Sequence, residues 1–436
     1  MKPTGLLIAV VLLAGLGGVV WWSNKQQASA DTKKAADTTK KLLSIPDDQF
    51  QNIRIKKVTG EVEDLDRENG KWKLTEPKPL PADQDAVSGI VTNLSSLNAD
   101  AVIEEKAADL KQYGLADPTL DIQIKRKDGK TEELLVGDDT PTSSGSYAKL
   151  ANDPRVVTIA SFVKTSLDKR PDDLRDKRLM TFDQDKITRV DLTAKNQTEE
   201  FGKDAQGEWQ ILKPRPLRAD SSAVNGVVDK LRDAKMDLGG TEDANKAFAG
   251  AAKVATATVA DANGNHTFEI RKDKDKNYYA KSSDVEGAYK VSADVGDALD
   301  KSLDDFRNKK LFDFGFSDPG KVEVPGAVYE KSGDKWMSGG KPMDNSTVQS
   351  LIDKLRDLSA SKFVEKAAGD PVFTASVTSN SGKRVEKATI RKQGDQYFAQ
   401  RENEPSIYQL DAKSVEDLQT AAKDVKPAPP ENAKKK

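Results

Sequence analysis

No cysteine occurs in the 436 residues, and histidine occurs once, as His266. Disulfides, thiolate nucleophiles, thiolate zinc sites and multi-histidine metal centres are excluded by that count, and a Ser/His/Asp triad would have to use His266. Aromatic residues are scarce, at 6%. An excess of either charge is missing as well: 69 Lys and Arg face 71 Asp and Glu, for a formal net charge of -2. Binding to nucleic acid through bulk positive charge is therefore not expected. What is abundant is charge itself, at 32%, beside 36% apolar residues. A chain of this length has room for about three domains of roughly 150 residues.

The longest uncharged apolar run is Gly5 to Trp22, GLLIAVVLLAGLGGVVWW. Its length is at the lower edge of what a helix needs to cross a bilayer, about 20 residues at ~1.5 Å rise. Trp21 and Trp22 close the run, where indole rings favour the headgroup boundary. Residues 1–30 read as a transmembrane anchor or signal segment. The anchor is favoured because the run exceeds the usual ~7 to 15-residue signal core, while Ala28-Ser29-Ala30 offers a cleavage site to the competing reading. The lysines that follow the run would place the body inside, whereas the short N-tail and signal-like layout favour its export. Residues 31–47 read as a flexible stalk, and residues 426–436 (KPAPPENAKKK) as a disordered basic tail.

Between them lies an internal repeat. Trp72 in GKWKLTEPKPLPAD, ending at Asp83, and Trp209 in GEWQILKPRPLRAD, ending at Asp220, are displaced by 137 positions. Trp336 in DKWMSGGKPMD, ending at Asp344, is a worn third copy. After each Asp the apolar positions recur in step: Val87, Ile90, Val91, Leu94, Leu97; then Val224, Val227, Val228, Leu231, Ala234; then Val348, Leu351, Ile352, Leu355, Leu358. That spacing puts one apolar stripe on a helix. Asp83, Asp220 and Asp344 stand where an N-cap acceptor closes the first turn. Each Trp precedes a crossing and a helix, so its ring is expected to seal a small core; stacking on sugar rings is the alternative.

Alternating strands follow, leading into Asp128-Gly129, Asn263-Gly264 and Ser381-Gly382, the pattern of β-hairpins. Tyr147-Ala148-Lys149, Tyr279-Ala280-Lys281 and Phe398-Ala399-Gln400 come next, then a second strand and a short closing helix. Copies one and two end in basic connectors, Leu174 to Leu179 and Phe306 to Leu311, which copy three lacks. The expected fold is α+β: a single N-terminal transmembrane helix, then three tandem modules of antiparallel strands with an amphipathic helix each. The expected boundaries are 48–182, 183–314 and, for the degenerate third module, 315–425.

The set Gly70-Lys71-Trp72-Lys73-Leu74, Pro77, Pro81-Ala82-Asp83 and Tyr113-Gly114-Leu115-Ala116-Asp117-Pro118 resembles the bacterial envelope family catalogued as domain of unknown function 4340. Copy two keeps the Trp-to-Asp part and lacks the Tyr-Gly-Leu segment; copy three keeps little beyond Trp336 and Asp344. The resemblance implies a single-pass protein of the inner (cytoplasmic) membrane with its bulk extracytoplasmic. It also implies envelope partners, namely subunits of ABC-type transport systems, in addition to the lipid bilayer. It brings no catalytic residues.

The residues themselves argue against an enzyme. His266 sits just after a hairpin turn, and the other copies offer no histidine there. Acid pairs such as Glu104-Glu105 and Asp172-Asp173 could serve glycoside hydrolysis, but the copies do not share them. Asp138-Asp139 lacks the spacing of a calcium loop, and no phosphate loop or dinucleotide fingerprint occurs. No catalytic residue, cofactor or metal is expected. The expected role is that of a non-catalytic scaffold or accessory subunit, with an extracytoplasmic glycan- or ligand-binding protein as the alternative.

Overall fold

The computed structural model describes residues 40–239, 243–315 and 319–429. The expected membrane segment with Trp21 and Trp22, residues 31–39 of the expected stalk and residues 430–436 of the expected tail lie outside them. Among the described residues no helix is long and apolar enough to cross a membrane.

Strand formation follows the alternation of apolar side chains. Ile53 and Ile55, Leu65, and Trp72 and Leu74 point inward on three neighbouring strands, with more exposed residues between them. Tight turns close the hairpins: Asn69-Gly70 and Lys195-Asn196 both take positive φ, which suits the right-handed twist of the strands they join. The first sheet runs, edge to edge, through Leu80–Pro81, Lys71–Glu76, Val62–Glu68, Phe50–Lys57, Leu120–Arg126, Thr131–Asp139, Gly145–Leu150, Val156–Ala160 and Ala101–Glu104. It consists of two meanders joined where Phe50–Lys57 pairs antiparallel with Leu120–Arg126.

A second sheet of eight strands and a third of nine repeat this order, joined at Arg189–Ala194 with Ala252–Asp261 and at Lys321–Val324 with Asp370–Ser379. Each meander before the long helix has four strands, because a hairpin precedes the Trp strand and a two-residue strand follows it. Among the described residues the second sheet has no ninth strand. There the helix Ala244–Gly250 packs against Ala288–Val291 instead.

Between its two meanders each sheet carries a long helix, Gln84–Ser95, Ser221–Asp233 or Asn345–Asp357. The expected stripes are buried against the inner sheet faces, in three separate cores. Leu97, Ala234 and Leu358 are buried just beyond the helix ends. Closing helices Ser161–Leu167, Ala293–Leu299 and Ala412–Lys423 complete the three cores. Antiparallel sheets with helices gathered on one face make the fold α+β.

The chain divides at Lys177/Arg178 into two compact units, the first sheet in one and the other two sheets in the second. Both expected flexible ends give way where apolar or backbone groups find partners. Leu42, Leu43 and Ile45 are buried in the first core, and Lys40–Lys41 pairs with Asn98–Ala99, so the folded body includes residues placed in the stalk. At the other end Asp344 N–H donates to the Lys426 carbonyl and Ala428 N–H to the Pro342 carbonyl, which docks residues placed in the tail.

Candidate functional site

The repeated tryptophans and aspartates form one local assembly, built three times. Trp72, Trp209 and Trp336 are only 6%, 3% and 5% exposed. The backbone N–H of each Trp donates to the first side chain of the following helix: to Gln84 Oε1 at 2.8 Å, Ser221 Oγ at 3.3 Å and Asn345 Oδ1 at 3.1 Å. Asp83 accepts from Asp85 and Ala86 N–H, Asp220 from Ser222 and Ala223 N–H, and Asp344 from Ser346 N–H. These bonds satisfy helix N–H groups that have no partner within the helix. Gln84, Ser221 and Asn345 share no residue type, so sequence reasoning passed over them.

A backbone clamp locks each assembly. Asp83, Asp220 and Asp344 donate their own N–H to the carbonyls of Leu174, Phe306 and Lys426, at 2.8, 2.7 and 2.9 Å. The preceding residues form bridges alongside, Ala82 with Arg175, Ala219 with Arg307 and Met343 with Pro427. The start of each fold is held likewise: Leu42, Leu179 and Leu311 donate to the carbonyls of Leu97, Ala234 and Leu358. Each of these leucines follows a basic pair, Lys40-Lys41, Lys177-Arg178 or Lys309-Lys310. The signal Lys-Lys/Arg-Leu was legible three times and was read only twice.

Within the second unit the second and third sheets meet through charged side chains. Arg218 Nε lies 2.9 Å from Glu404 Oε1, and its Nη2 donates to Tyr408 Oη at 3.2 Å and to the Lys310 carbonyl. Arg384 pairs with Glu208 at 3.1 Å, and Arg307 stacks 3.4 Å from the Phe363 ring centre. Beside this contact, Trp209, Arg218, Asp220, Lys309, Lys310 and Arg384 line a cleft of about 510 Å³. Its acids are already engaged: Asp220 caps its helix, Glu208 holds Arg384, and Asp313 accepts from Asn308 at 2.7 Å. The cleft presents polar and cationic groups beside these engaged acids.

His266 lies between two carboxylates, with Nδ1 2.8 Å from Asp284 Oδ2 and Nε2 3.4 Å from Asp261 Oδ1. Burial disfavours its charged form, yet the two carboxylates outweigh burial and raise its pKa above the ordinary value. Asp261 is lowered to about 2, mainly by the Asp183 N–H that it accepts, while Asp284 accepts from Thr181 N–H at 2.8 Å. The histidine thus helps fasten the segment 181–183. In the third sheet the place of His266 is taken by Glu386, which accepts from Asp313 N–H at 3.0 Å.

The Tyr-Gly-Leu segment also has a packing role. Tyr113 Oη donates to Glu104 at 3.0 Å, its ring lies 5.0 Å from that of Tyr147, and a Cβ at Gly137 would stand 2.1 Å from the Tyr113 carbonyl. In the second sheet Phe248, from the helix that replaces this segment, packs on Tyr279, the counterpart of Tyr147. Among the described residues no group of three or more His, Cys, Asp or Glu is arranged to hold a metal ion.

No curated protein and no solved structure matches the chain. The family described as domain of unknown function (DUF4340) matches twice in tandem, over residues 72–209 and 209–374. Each match starts at one of the buried tryptophans; the first ends at Trp209 and the second runs past Trp336 to residue 374. The chain therefore belongs to the DUF4340 family.

Proposed function

We propose that this protein is a non-catalytic, membrane-anchored scaffold or accessory subunit of an ABC-type envelope transport system. Gly5 to Trp22 serves as the anchor, and the folded body lies outside the inner membrane. The observation that carries the reading is the use to which the shared residues are put. Each Trp fills a core, each Asp caps a helix, and each connector closes a clamp, so the positions that recur maintain the modules. The faces left to a partner are polar, as in the cleft around Arg218 and Lys310, and polar rims favour specific docking over bulk adhesion.

Crosslinking in intact membranes followed by mass spectrometry tests the role. Transporter subunits among the main adducts are expected, whereas glycan capture without any protein adduct would replace the scaffold with a glycan binder. A C-terminal alkaline phosphatase fusion should be active; fluorescence confined to the cytoplasm from a matching reporter fusion would overturn the orientation.

A further inference from the structure

Two glutamates occupy matching places in the first two sheets, and only one has an ionic partner. Glu63 stands opposite Ile55 and Glu199 opposite Leu192, both fully buried. Two residues beyond Ile55, the Lys57 ammonium lies 3.3 Å from Glu63 and 3.4 Å from Asp168, and donates to the Lys169 carbonyl at 2.7 Å. Charge, counter-charge and acceptor are all supplied from within the module.

The second module rebuilds those surroundings without the lysine. Asp300 and Lys301 follow their closing helix as Asp168 and Lys169 do, donating to the Gly296 and Leu299 carbonyls just as the first pair donates to Lys164 and Leu167. The backbone angles agree, φ -81° and ψ 59° at Asp300 against φ -81° and ψ 69° at Asp168. Where Lys57 would stand, two residues beyond Leu192, the chain has Ala194. A hollow of about 490 Å³ opens there, lined by Ala194, Lys195, Lys253 and Asp300, while Glu199 is buried and does not itself line it.

Neither carboxylate oxygen of Glu199 has a hydrogen-bond partner. Neither lysine pairs with Glu199. Lys195 sits in the hairpin turn, half exposed, 3.8 Å from Asp300, and Lys253 pairs with Glu269 at 3.7 Å. A buried carboxylate without a partner is costly, and an ammonium placed at the Lys57 position offsets that cost, as it does in the first module.

We propose that the second module binds an alkylammonium group at the place of the missing lysine, with Glu199 and Asp300 as counter-charges and the Lys301 carbonyl as acceptor. A free diamine and the side chain of an exposed lysine carry the same chemistry. Burial pushes the Glu199 carboxyl above its ordinary range, and an ammonium beside it would draw it back down.

Isothermal titration of the full chain with cadaverine and with Nα-acetyl-lysine amide tests this. Saturable binding of either probe is expected. Preference for cadaverine identifies a free amine as the source, and preference for the lysine derivative identifies a side chain. Glu199→Gln should weaken binding at least tenfold. Ala194→Lys supplies a tethered ammonium, so it should abolish binding and raise the thermal midpoint. Absence of saturable binding by both probes overturns the proposal. So does unchanged binding in Ala194→Lys, a variant that decides the matter even if Glu199→Gln does not fold. Crosslinking to transporter subunits is independent of either result.

Discussion

At the level of single residues, the side chains that looked most functional are structural anchors. Trp72 is buried in the first core, so Trp72→Ala should cost about 3 to 5 kcal/mol in urea unfolding. A stable variant that instead loses binding to a glycan would return the ring to a recognition role. His266 carries a pH signature. Its folded pKa is raised, so the stabilisation from its charged form is fully present below the unfolded value of about 6.5 and is lost as pH rises through the folded value. The stability gap between wild type and His266→Gln should therefore be widest in mild acid and narrow above neutrality. A gap that widens with pH would show that the neutral imidazole is the stabilising form. Sequence placed His266 on an exposed hairpin arm after its turn; the arm is where it lies, but the imidazole is only 14% exposed, and its partner Asp284 is 18 positions away with no local pattern to pair them.

At the level of elements, the three helices were the most legible part of the chain. A stripe of valines and leucines behind an aspartate is a local signal, and local signals survive in sequence. Asp220→Ala removes an acceptor for two N–H groups and should cost about 1 kcal/mol, measurable by thermal unfolding with Asp220→Asn, a good cap, as the conservative control. An equal loss in both variants would assign the effect to the charge. The clamps were illegible for the opposite reason. They join backbone groups far apart in the chain, and Met343 with Pro427 can do what Ala82 does with Arg175, because a backbone bond does not specify the side chain. The hairpin Phe50–Lys57 with Val62–Glu68 escaped notice because its inner face carries Lys57 and Glu63, which break the apolar alternation that marks a strand.

At the level of the whole molecule, near-neutral composition conceals a fold that depends on particular ion pairs where modules meet. Arg218 is mostly buried beside Glu404 and Tyr408 in the second unit. Arg218→Ala removes one of two guanidinium groups from Glu404, which keeps Arg401 at 2.7 Å, and should destabilise that unit by about 1.5 kcal/mol, read by pulse proteolysis of peptides around the second and third sheets. Wild-type resistance would mean that solvent already screens the pair. The α+β class and the repetition were legible because they recur, whereas the junction was not, since Arg218 and Glu404 are two of 140 charged residues with no sequence pattern to link them. The clamp has a consequence for synthesis. Asp83 waits for a carbonyl at Leu174, and Asp220 for one at Phe306, so a growing chain closes these clamps only after about 90 further residues have emerged from the ribosome. Completion of each fold thereby waits for its own final segment, Leu174 in the first, Phe306 in the second and Lys426 with Pro427 in the third.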